Sequence, residues 1–228
     1  ISVLNDYDSY LQKLEQQLAK KEKELAQISD EVSEIRQKSA VKLVSEIKSA
    51  LNDLNFLDVQ FDMQFDRLPD YTANGIDAPE FLISTNPGEP LKPLGKVASG
   101  GELSRIMLGI KTIMAENDHI ESLIFDEIDS GISGRTAQMV SEKMNELGRN
   151  HQIICITHLP QIAAMADAHF LIEKAVENKS TVSRIRRLTD NDSVAELARM
   201  LGGAKITDTV MESAREMKEL AMEKKALS

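Results

Sequence analysis

The sequence of 228 residues has no tryptophan, one cysteine and only 4% aromatic residues. A core must therefore be built mainly from Ile, Leu, Val and Met side chains. The lone thiol, Cys155, excludes an internal disulfide and fits a reducing compartment. No run of about 18 apolar residues is present, so the sequence predicts no membrane-spanning helix. The first residues carry neither a secretory signal nor an initiator methionine, and we expect a cytoplasmic fragment of a longer protein.

Positive charge is also scarce, because 27 Lys and Arg residues are outnumbered by 37 Asp and Glu, for a formal net charge of −10. Binding to the DNA backbone draws on positive charge that displaces counterions. We therefore do not expect this segment to provide the main grip on DNA. The small basic cluster of Arg184, Arg186 and Arg187 is interpreted as a solvated face.

A heptad repeat occupies residues 1 to about 38. Two heptad positions form its seam. The first position carries Leu4, Leu11, Leu18, Leu25 and Val32, and the second carries Tyr7, Leu14, Lys21, Ile28 and Ile35. This narrow apolar stripe predicts one strand of a coiled coil, whose partner helix lies in another segment or another chain. The alternative is a helix packed on its own domain. We assign residues 1–50 to a coiled-coil arm with its connecting helix, and residues 51–228 to a globular lobe.

An alternation of period two follows the arm. Apolar residues at odd positions from Leu57 to Phe65 alternate with polar ones, which predicts a strand with one buried face. A second strand is expected around 81–84. Turn signals at Pro69-Asp70 and Asn74-Gly75 lie between the two strands, so we expect an antiparallel hairpin with a long loop. Residues 86–97 are expected to be irregular.

From Ser99 onward, helices and short apolar strands alternate. Helices are predicted at 100–117, 134–148, 160–166, 192–201 and 206–225, with strands at 122–126, 153–157 and 169–172 and an edge strand at 180–188. Short apolar strands separated by helices predict an α/β lobe with a mostly parallel sheet flanked by helices. The pair Gly202-Gly203 is expected to separate the last two helices.

The turn Ser99-Gly100-Gly101 lies where a loop enters a predicted helix. The first amides of a helix are unpaired and carry partial positive charge, and glycines let an anion approach the backbone closely. Such a turn suits a phosphate group. The alternative is an ordinary helix start, with Ser99 as the N-cap and Glu102 completing a capping box.

Two adjacent acids, Asp126 and Glu127, follow the apolar run of the 122–126 strand. The carboxyl end of a buried parallel strand is where ligands bind in open α/β sheets. Asp126 is suited to hold a water of hydrated Mg²⁺, and Glu127 to orient and deprotonate an attacking water. The alternative is a pair of ordinary acids at a strand end.

A histidine, His158, follows the next predicted strand. A neutral imidazole at this place is suited to hydrogen-bond a terminal phosphate or the attacking water. The alternative is a surface histidine without a functional role.

Taken in this order, the three segments resemble the C-terminal lobe of ABC-type ATPase heads. The longer runs 81–90, 99–105, 126–134 and 157–163 narrow the resemblance to the RecN family, bacterial SMC-like ATPases of DNA double-strand-break repair. The resemblance covers about residues 80–225, and the heptad helix fits the returning arm of that family's antiparallel coiled coil.

The resemblance implies a role for each motif. Ser99, Gly100 and Gly101, continued by Glu102, would form the signature motif that contacts the γ-phosphate of ATP bound to the opposite head. Asp126 would be the Walker B carboxylate near Mg²⁺, Glu127 the catalytic base and His158 the switch histidine. Asp129 and Ser130 would belong to a loop that crosses the interface between heads.

The same resemblance implies ATP and Mg²⁺ as cofactors. The implied partners are the N-terminal half of the same protein, a second head in a homodimer that sandwiches ATP, and DNA through the complete protein. No membrane partner is expected, and the implied location is the cytoplasm, in association with the nucleoid.

One motif of such heads is missing from the sequence. A Gly-x₄-Gly-Lys-Ser/Thr loop does not occur, since Gly95-Lys96 is followed by Val97. We therefore expect this segment alone neither to hold ATP well nor to hydrolyse it. Two other function classes stay open: the ATPase subunit of a transporter, which needs no heptad arm and commonly has Gln where Glu102 stands, and a non-enzymatic coiled-coil interaction module.

Overall fold

A computed structural model describes residues 2–56, 58–97, 99–115, 120–177, 180–203 and 205–227. The first part contains α1 (Ser2–Asp53), β1 (Gln60–Thr72), β2 (Gly75–Ser84), β3 (Lys92–Pro93) and a short 3₁₀ helix (Leu94–Lys96). The second part contains α2 (Gly100–Met114), β4 (Ser122–Phe125), α3 (Gly134–Leu147), β5 (Gln152–Cys155), α4 (Pro160–Ala164), β6 (Phe170–Glu177), β7 (Ser180–Arg187), α5 (Asp190–Gly202) and α6 (Asp208–Leu227). The chain divides into two compact units, residues 1–46 with 60–95 and residues 47–59 with 96–228.

The first unit joins the long helix to an antiparallel sheet of order β1-β2-β3. On α1, the Ser33 hydroxyl donates to Asp77 Oδ1 at 2.7 Å and the Arg36 guanidinium donates to Asp77 Oδ2 at 2.9 Å. A second ion pair joins Asp30 on the helix to Arg67 on β1 at 2.7 Å. These polar contacts attach the hairpin to one side of α1.

The heptad seam of α1 is exposed. Seven of its apolar or aromatic side chains lie open to solvent: Tyr7, Leu11, Leu14, Leu18, Leu25, Ile28 and Ile35. The predicted helix is confirmed, whereas its pairing in a coiled coil and the division of the chain after residue 50 stay predictions. The side chain of Leu4 lies outside the described residues.

The predicted hairpin forms, but its long loop does not. β1 continues through Pro69 to Thr72, which pairs with Gly75 across a two-residue turn, and Gly75 has a φ of +94°. Proline is tolerated there because β1 is an edge strand, whose outer amides need no partner in the sheet. The predicted alternation is confirmed from Phe61, and the Phe61 and Phe81 rings lie 5.2 Å apart on the hairpin. Leu57, the predicted first residue of the strand, lies outside the described residues.

The second unit contains the α/β part, and its parallel pair is confirmed. β4 and β5 run parallel, with Phe125 opposite Cys155 at their carboxyl ends. β6 was expected in the same parallel arrangement, but it pairs antiparallel with β7. The reason is the connection, because two residues join neighbouring strands only as a hairpin, whereas a parallel link needs a crossover of about a dozen residues.

Helix α2 is held in this unit by the last turns of α1. A Cβ on Gly109 would lie 3.1 Å from Leu51 Cδ2, so the absence of a side chain lets the two helices pack closely. Ile47, Leu51 and Leu54 are buried there. The last two residues of the helix predicted to reach 117 lie outside the described residues.

Helices α5 and α6 complete the unit. Thr189 and Asp192 form a capping box at the start of α5, and Gly203, with a φ of +64°, ends the helix as its C-cap. The predicted break at Gly202-Gly203 is therefore confirmed. In the described part of the chain, no helix is both long and apolar enough to span a membrane.

The attachment of the hairpin makes a testable prediction at Asp77. The hydrogen bond from Ser33 and the charge and hydrogen bond of Arg36 lower the pKa of this carboxyl from its ordinary value. Because the pKa of Asp77 is lower in the folded state than in the unfolded state, its ionised carboxylate stabilises the fold at pH values above the unfolded-state pKa. This stabilisation is lost as the pH falls through the folded-state pKa. We expect Asp77→Asn to lower the free energy of unfolding by about 1 kcal/mol at neutral pH, and the difference from wild type to shrink below about pH 4.

Urea unfolding followed by circular dichroism at neutral and acidic pH measures this difference. Glu80→Gln, which neutralises an exposed acid on the same strand, is the matched control and should leave stability unchanged. Equal stability of Asp77→Asn and wild type at neutral pH would contradict the assigned anchor.

Candidate functional site

The site is built around the first turn of α2. Ser99 is the N-cap, in an extended conformation, and its Oγ accepts a hydrogen bond from the Glu102 amide at 3.4 Å. Its carbonyl accepts from the Leu103 amide at 3.0 Å. Ser99 and Gly100 are exposed, whereas Gly101 is buried. The capping that the sequence predicts for Ser99 is thus present, with the start of a 15-residue helix open to solvent beside it.

The loop after β4 packs directly on these glycines. A Cβ on Gly101 would lie 2.9 Å from both the Cβ and the carbonyl oxygen of Ser130, and 3.0 Å from the carbonyl oxygen of Glu127. A Cβ on Gly100 would lie 2.8 Å from Glu127 Oε2. The Ser104 hydroxyl adds a hydrogen bond of 3.0 Å to the Asp126 carbonyl. The predicted signature turn and the two predicted acids therefore meet in space.

A buried arginine fastens the same loop to α2. Arg105 donates from Nη1 to the Ser130 carbonyl at 2.9 Å and to the Ile128 carbonyl at 3.4 Å, and its guanidinium lies 5.5 Å from the centre of the Phe56 ring. Burial lowers the pKa of Arg105, and the nearby charge of Glu102 opposes that effect. The sequence alone predicted no role for Arg105. A basic residue one turn after Gly101, on the buried face of α2, is the signal that would have revealed it.

The two acids occupy a tight turn at the end of β4. Both side chains are exposed, and Asp126 Oδ1 accepts a hydrogen bond from the Glu127 amide at 3.0 Å. Glu127 has a φ of +57°, a conformation that costs a residue other than glycine about 1 kcal/mol or more. The turn closes with a hydrogen bond of 3.0 Å from the Ser130 amide to the Glu127 carbonyl. Surrounding contacts thus hold a strained backbone at the predicted base.

Asp129 connects this loop to the segment after β5. Its side chain is buried, and Oδ2 accepts from the Thr157 hydroxyl at 2.6 Å and from the His158 amide at 2.7 Å. The same oxygen lies 2.9 Å from His158 Nδ1. The His158 side chain is otherwise open to solvent, with 72% of its surface exposed. The third predicted segment therefore joins the first two through Asp129.

The pKa of the Cys155 thiol is affected by the two aspartates of this site. Burial raises its pKa to about 12, with further contributions from the charges of Asp129 and Asp126. Both carboxylates therefore lie near the carboxyl end of β5. The thiol therefore stays protonated at neutral pH.

A Mg²⁺ ion would need few protein ligands from this chain. The described residues contain no group of three His, Cys, Asp or Glu side chains arranged to hold a metal ion. Mg²⁺ typically keeps several waters and binds one or two carboxylates together with phosphate oxygens. The exposed carboxylate of Asp126 at the end of β4 fits one such ligand.

The packing of the two glycines makes a paired prediction. Gly101→Ala places a Cβ against backbone atoms of the loop, which must shift, and we expect a loss of about 1–3 kcal/mol in the free energy of unfolding. Gly100→Ala meets only the end of the Glu127 side chain, which can rotate away, so we expect little change. Urea unfolding of the two variants measures the contrast. Equal losses would contradict the described packing.

The sequence has curated relatives, although no protein-family model matches it. The DNA repair protein RecN of Bacillus subtilis (strain 168) is 42% identical over 232 residues, which covers 95% of this chain and 40% of that protein. RecN of Vibrio cholerae is 40% identical over 183 residues, covering 80% of this chain and 33% of that protein. The chain therefore spans well under half the length of the curated relatives that it matches.

Solved structures show the fold. A crystal structure of the Smc head domain with a coiled coil and joint from Pyrococcus yayanosii matches with a TM-score of 0.52 at 20% identity, covering 72% of this chain and 29% of that one. The predicted α/β class with a long N-terminal helix is thereby confirmed, because the chain matches part of that structure in fold. Over most of its own length, the chain is similar in sequence to the DNA repair protein RecN of these two bacteria.

Proposed function

We propose that this chain is the C-terminal part of a RecN-like ATPase that acts in DNA double-strand-break repair. In this function ATP joins two heads and hydrolysis separates them. The observation that carries the proposal is the convergence of three distant segments: the loop 126–130 lies against Gly100 and Gly101, and through Asp129 it holds His158. The cytoplasm, in association with the nucleoid, is the corresponding location.

The proposed roles follow from the position of each group. The open start of α2 at Ser99, Gly100 and Gly101 offers amides to a phosphate of ATP bound to the other head, and Ser130 lies beside it. Asp126 would hold a hydrated Mg²⁺ on its own head, and the metal, when bound, would neutralise phosphate charge. Glu127, exposed on its strained turn, takes the proton of the attacking water.

The exposed sheet supports the N-terminal half of the same protein as a partner. Ile124 on β4, Ile154 on β5 and the following Ile156 are 70%, 47% and 52% exposed. Ile124 and Ile154 are direct neighbours in the parallel pair. Parallel strands are normally covered on both faces, so this apolar face needs further polypeptide. The missing Gly-x₄-Gly-Lys-Ser/Thr loop would enter with that polypeptide, and this chain alone would be inactive.

The long helix supports the reading as an SMC-like arm. Its hairpin attaches through Asp77 to Ser33 and Arg36, while the heptad seam stays open along the helix. An open seam of this length needs a partner helix, which the returning strand of an antiparallel coiled coil provides. A transporter subunit has no use for this seam.

The catalytic assignment is tested by Glu127→Gln in the complete protein. The amide cannot take a proton from water, so we expect ATP turnover to fall about 10²–10⁴-fold while ATP binding and head pairing persist. Steady-state ATPase assays measure turnover, and size-exclusion chromatography with ATP measures pairing.

Glu121→Gln is the matched control, because it removes an exposed acid just before the other end of the same strand, and it should leave turnover unchanged. Unchanged turnover in Glu127→Gln would remove Glu127 from its proposed role.

A further inference from the structure

The carboxylate of Asp129 is surrounded by donors from a neighbouring segment. The Thr157 hydroxyl, the His158 amide and the His158 ring nitrogen Nδ1 all lie within 2.9 Å of its Oδ2. The residue as a whole is only 4% exposed. A buried carboxylate is stabilised only by such donors, since burial of an unpaired charge is costly. In this cluster Asp129 therefore acts as the acceptor, and the neighbouring groups of Thr157 and His158 act as donors.

That pattern determines the tautomer of the histidine. An ionised carboxylate only accepts hydrogen bonds, so Nδ1 of His158 must carry a proton to pair with it. In the neutral ring Nε2 then carries none and is an acceptor. Because the rest of the ring is open to solvent, Nε2 is the nitrogen available to a ligand.

We propose that Asp129 is a positioning residue for His158, holding the ring in the Nδ1–H tautomer with Nε2 presented as an acceptor. The inference rests on the proposed function and deepens it. An acceptor pairs with an O–H donor such as the attacking water, and it does not pair with an unprotonated phosphate oxygen. If the ring takes up a second proton, the same carboxylate stabilises the resulting imidazolium.

The loop that carries Asp129 is built to hold this position. Arg105 donates to the carbonyls of Ile128 and Ser130, the residues on either side of Asp129. Gly101 lies against Ser130 with no room for a side chain. Asp129 is thus fixed to α2, whereas the contact of Nδ1 with Asp129 is the one polar contact of the His158 ring among the described residues. Loss of the carboxylate would free the ring while leaving the loop attached.

Nitrogen-15 NMR of the histidine-labelled complete protein tests the inference directly. The chemical shifts of the two ring nitrogens distinguish the Nδ1–H tautomer from the Nε2–H tautomer that free histidine favours in water. We expect wild type to show Nδ1–H at His158, and Asp129→Ala to lose this preference. Asp129→Asn is the conservative variant, because its amide oxygen can replace Oδ2 as the acceptor, and we expect it to retain the tautomer.

A matched control removes a different donor from the same carboxylate. Thr157→Val deletes the hydroxyl that donates to Asp129 but leaves the ring contact in place, so the tautomer should be unchanged. An Nε2–H tautomer in the wild type, or an Nδ1–H tautomer that survives in Asp129→Ala, would overturn the inference. The wild-type spectrum decides the question even if Asp129→Ala does not fold.

ATP turnover separates this inference from the proposed function. Groups that orient a functional histidine are typically worth about 10–100-fold, so Asp129→Ala should lower turnover by this factor. The double variant with His158→Ala should be no slower than His158→Ala alone, because Asp129 acts through the ring. Additive losses would contradict the positioning role. Absence of ATP turnover in the wild type would defeat the proposed function but leave the tautomer measurement valid.

Discussion

The close contact between the start of α2 and the loop 127–130 is the constraint on which the site depends. Gly101 has no room for a side chain against Ser130 and the Glu127 carbonyl, and Arg105 fixes the carbonyls on both sides of Asp129. These contacts set the position of two acids relative to an open helix start. Asp129, on the same loop, then connects this junction to His158 through the contact of its carboxylate with the histidine ring. The chemistry proposed for the site follows from one packed junction rather than from three independent motifs.

The second feature of the molecule is the apolar surface that it leaves exposed. The parallel pair β4–β5 ends at the site, yet Ile124, Ile154 and Ile156 on one side are exposed. Apolar surface of this kind on a parallel sheet is covered in a finished fold. The heptad seam of α1, in the other unit, is a second exposed apolar surface of this kind. We propose that both surfaces are covered by further polypeptide, which would also bring a phosphate-binding loop with its lysine.

Local signals in the sequence predicted much of the fold. The heptads gave α1, the alternation around Phe61 gave β1, and Gly202-Gly203 gave the break before α6. The exceptions depended on which strands become neighbours. Pro69 is a turn signal in the sequence, because its place on an edge strand is not visible locally. The sequence predicts a short strand at 169–172 and does not show that β6 continues to Glu177 and pairs with β7.

The candidate site shows the same limit. The family resemblance of the segments 99–105, 126–134 and 157–163 was enough to predict that the glycine turn, the two acids and the histidine lie close together. The sequence did not reveal that Asp129 would be buried against His158, because that contact joins residues 29 positions apart. Nor did it reveal the grip of Arg105 on the loop, which depends on carbonyl groups 23 and 25 positions away. Every residue has a backbone carbonyl, so the sequence does not show which carbonyl groups a side chain will bind.

We propose that this chain forms part of a nucleotide site that is completed by the N-terminal half of the same protein and by a second head. The most direct measurement mixes the two separately produced halves and follows ATP hydrolysis together with hydrogen exchange of the β4 and β5 amides. The account predicts no hydrolysis by either half, hydrolysis by the mixture, and slower exchange in Ser122–Phe125 and Gln152–Cys155 once the halves associate. Association without ATP hydrolysis and without added protection of these strands would contradict it.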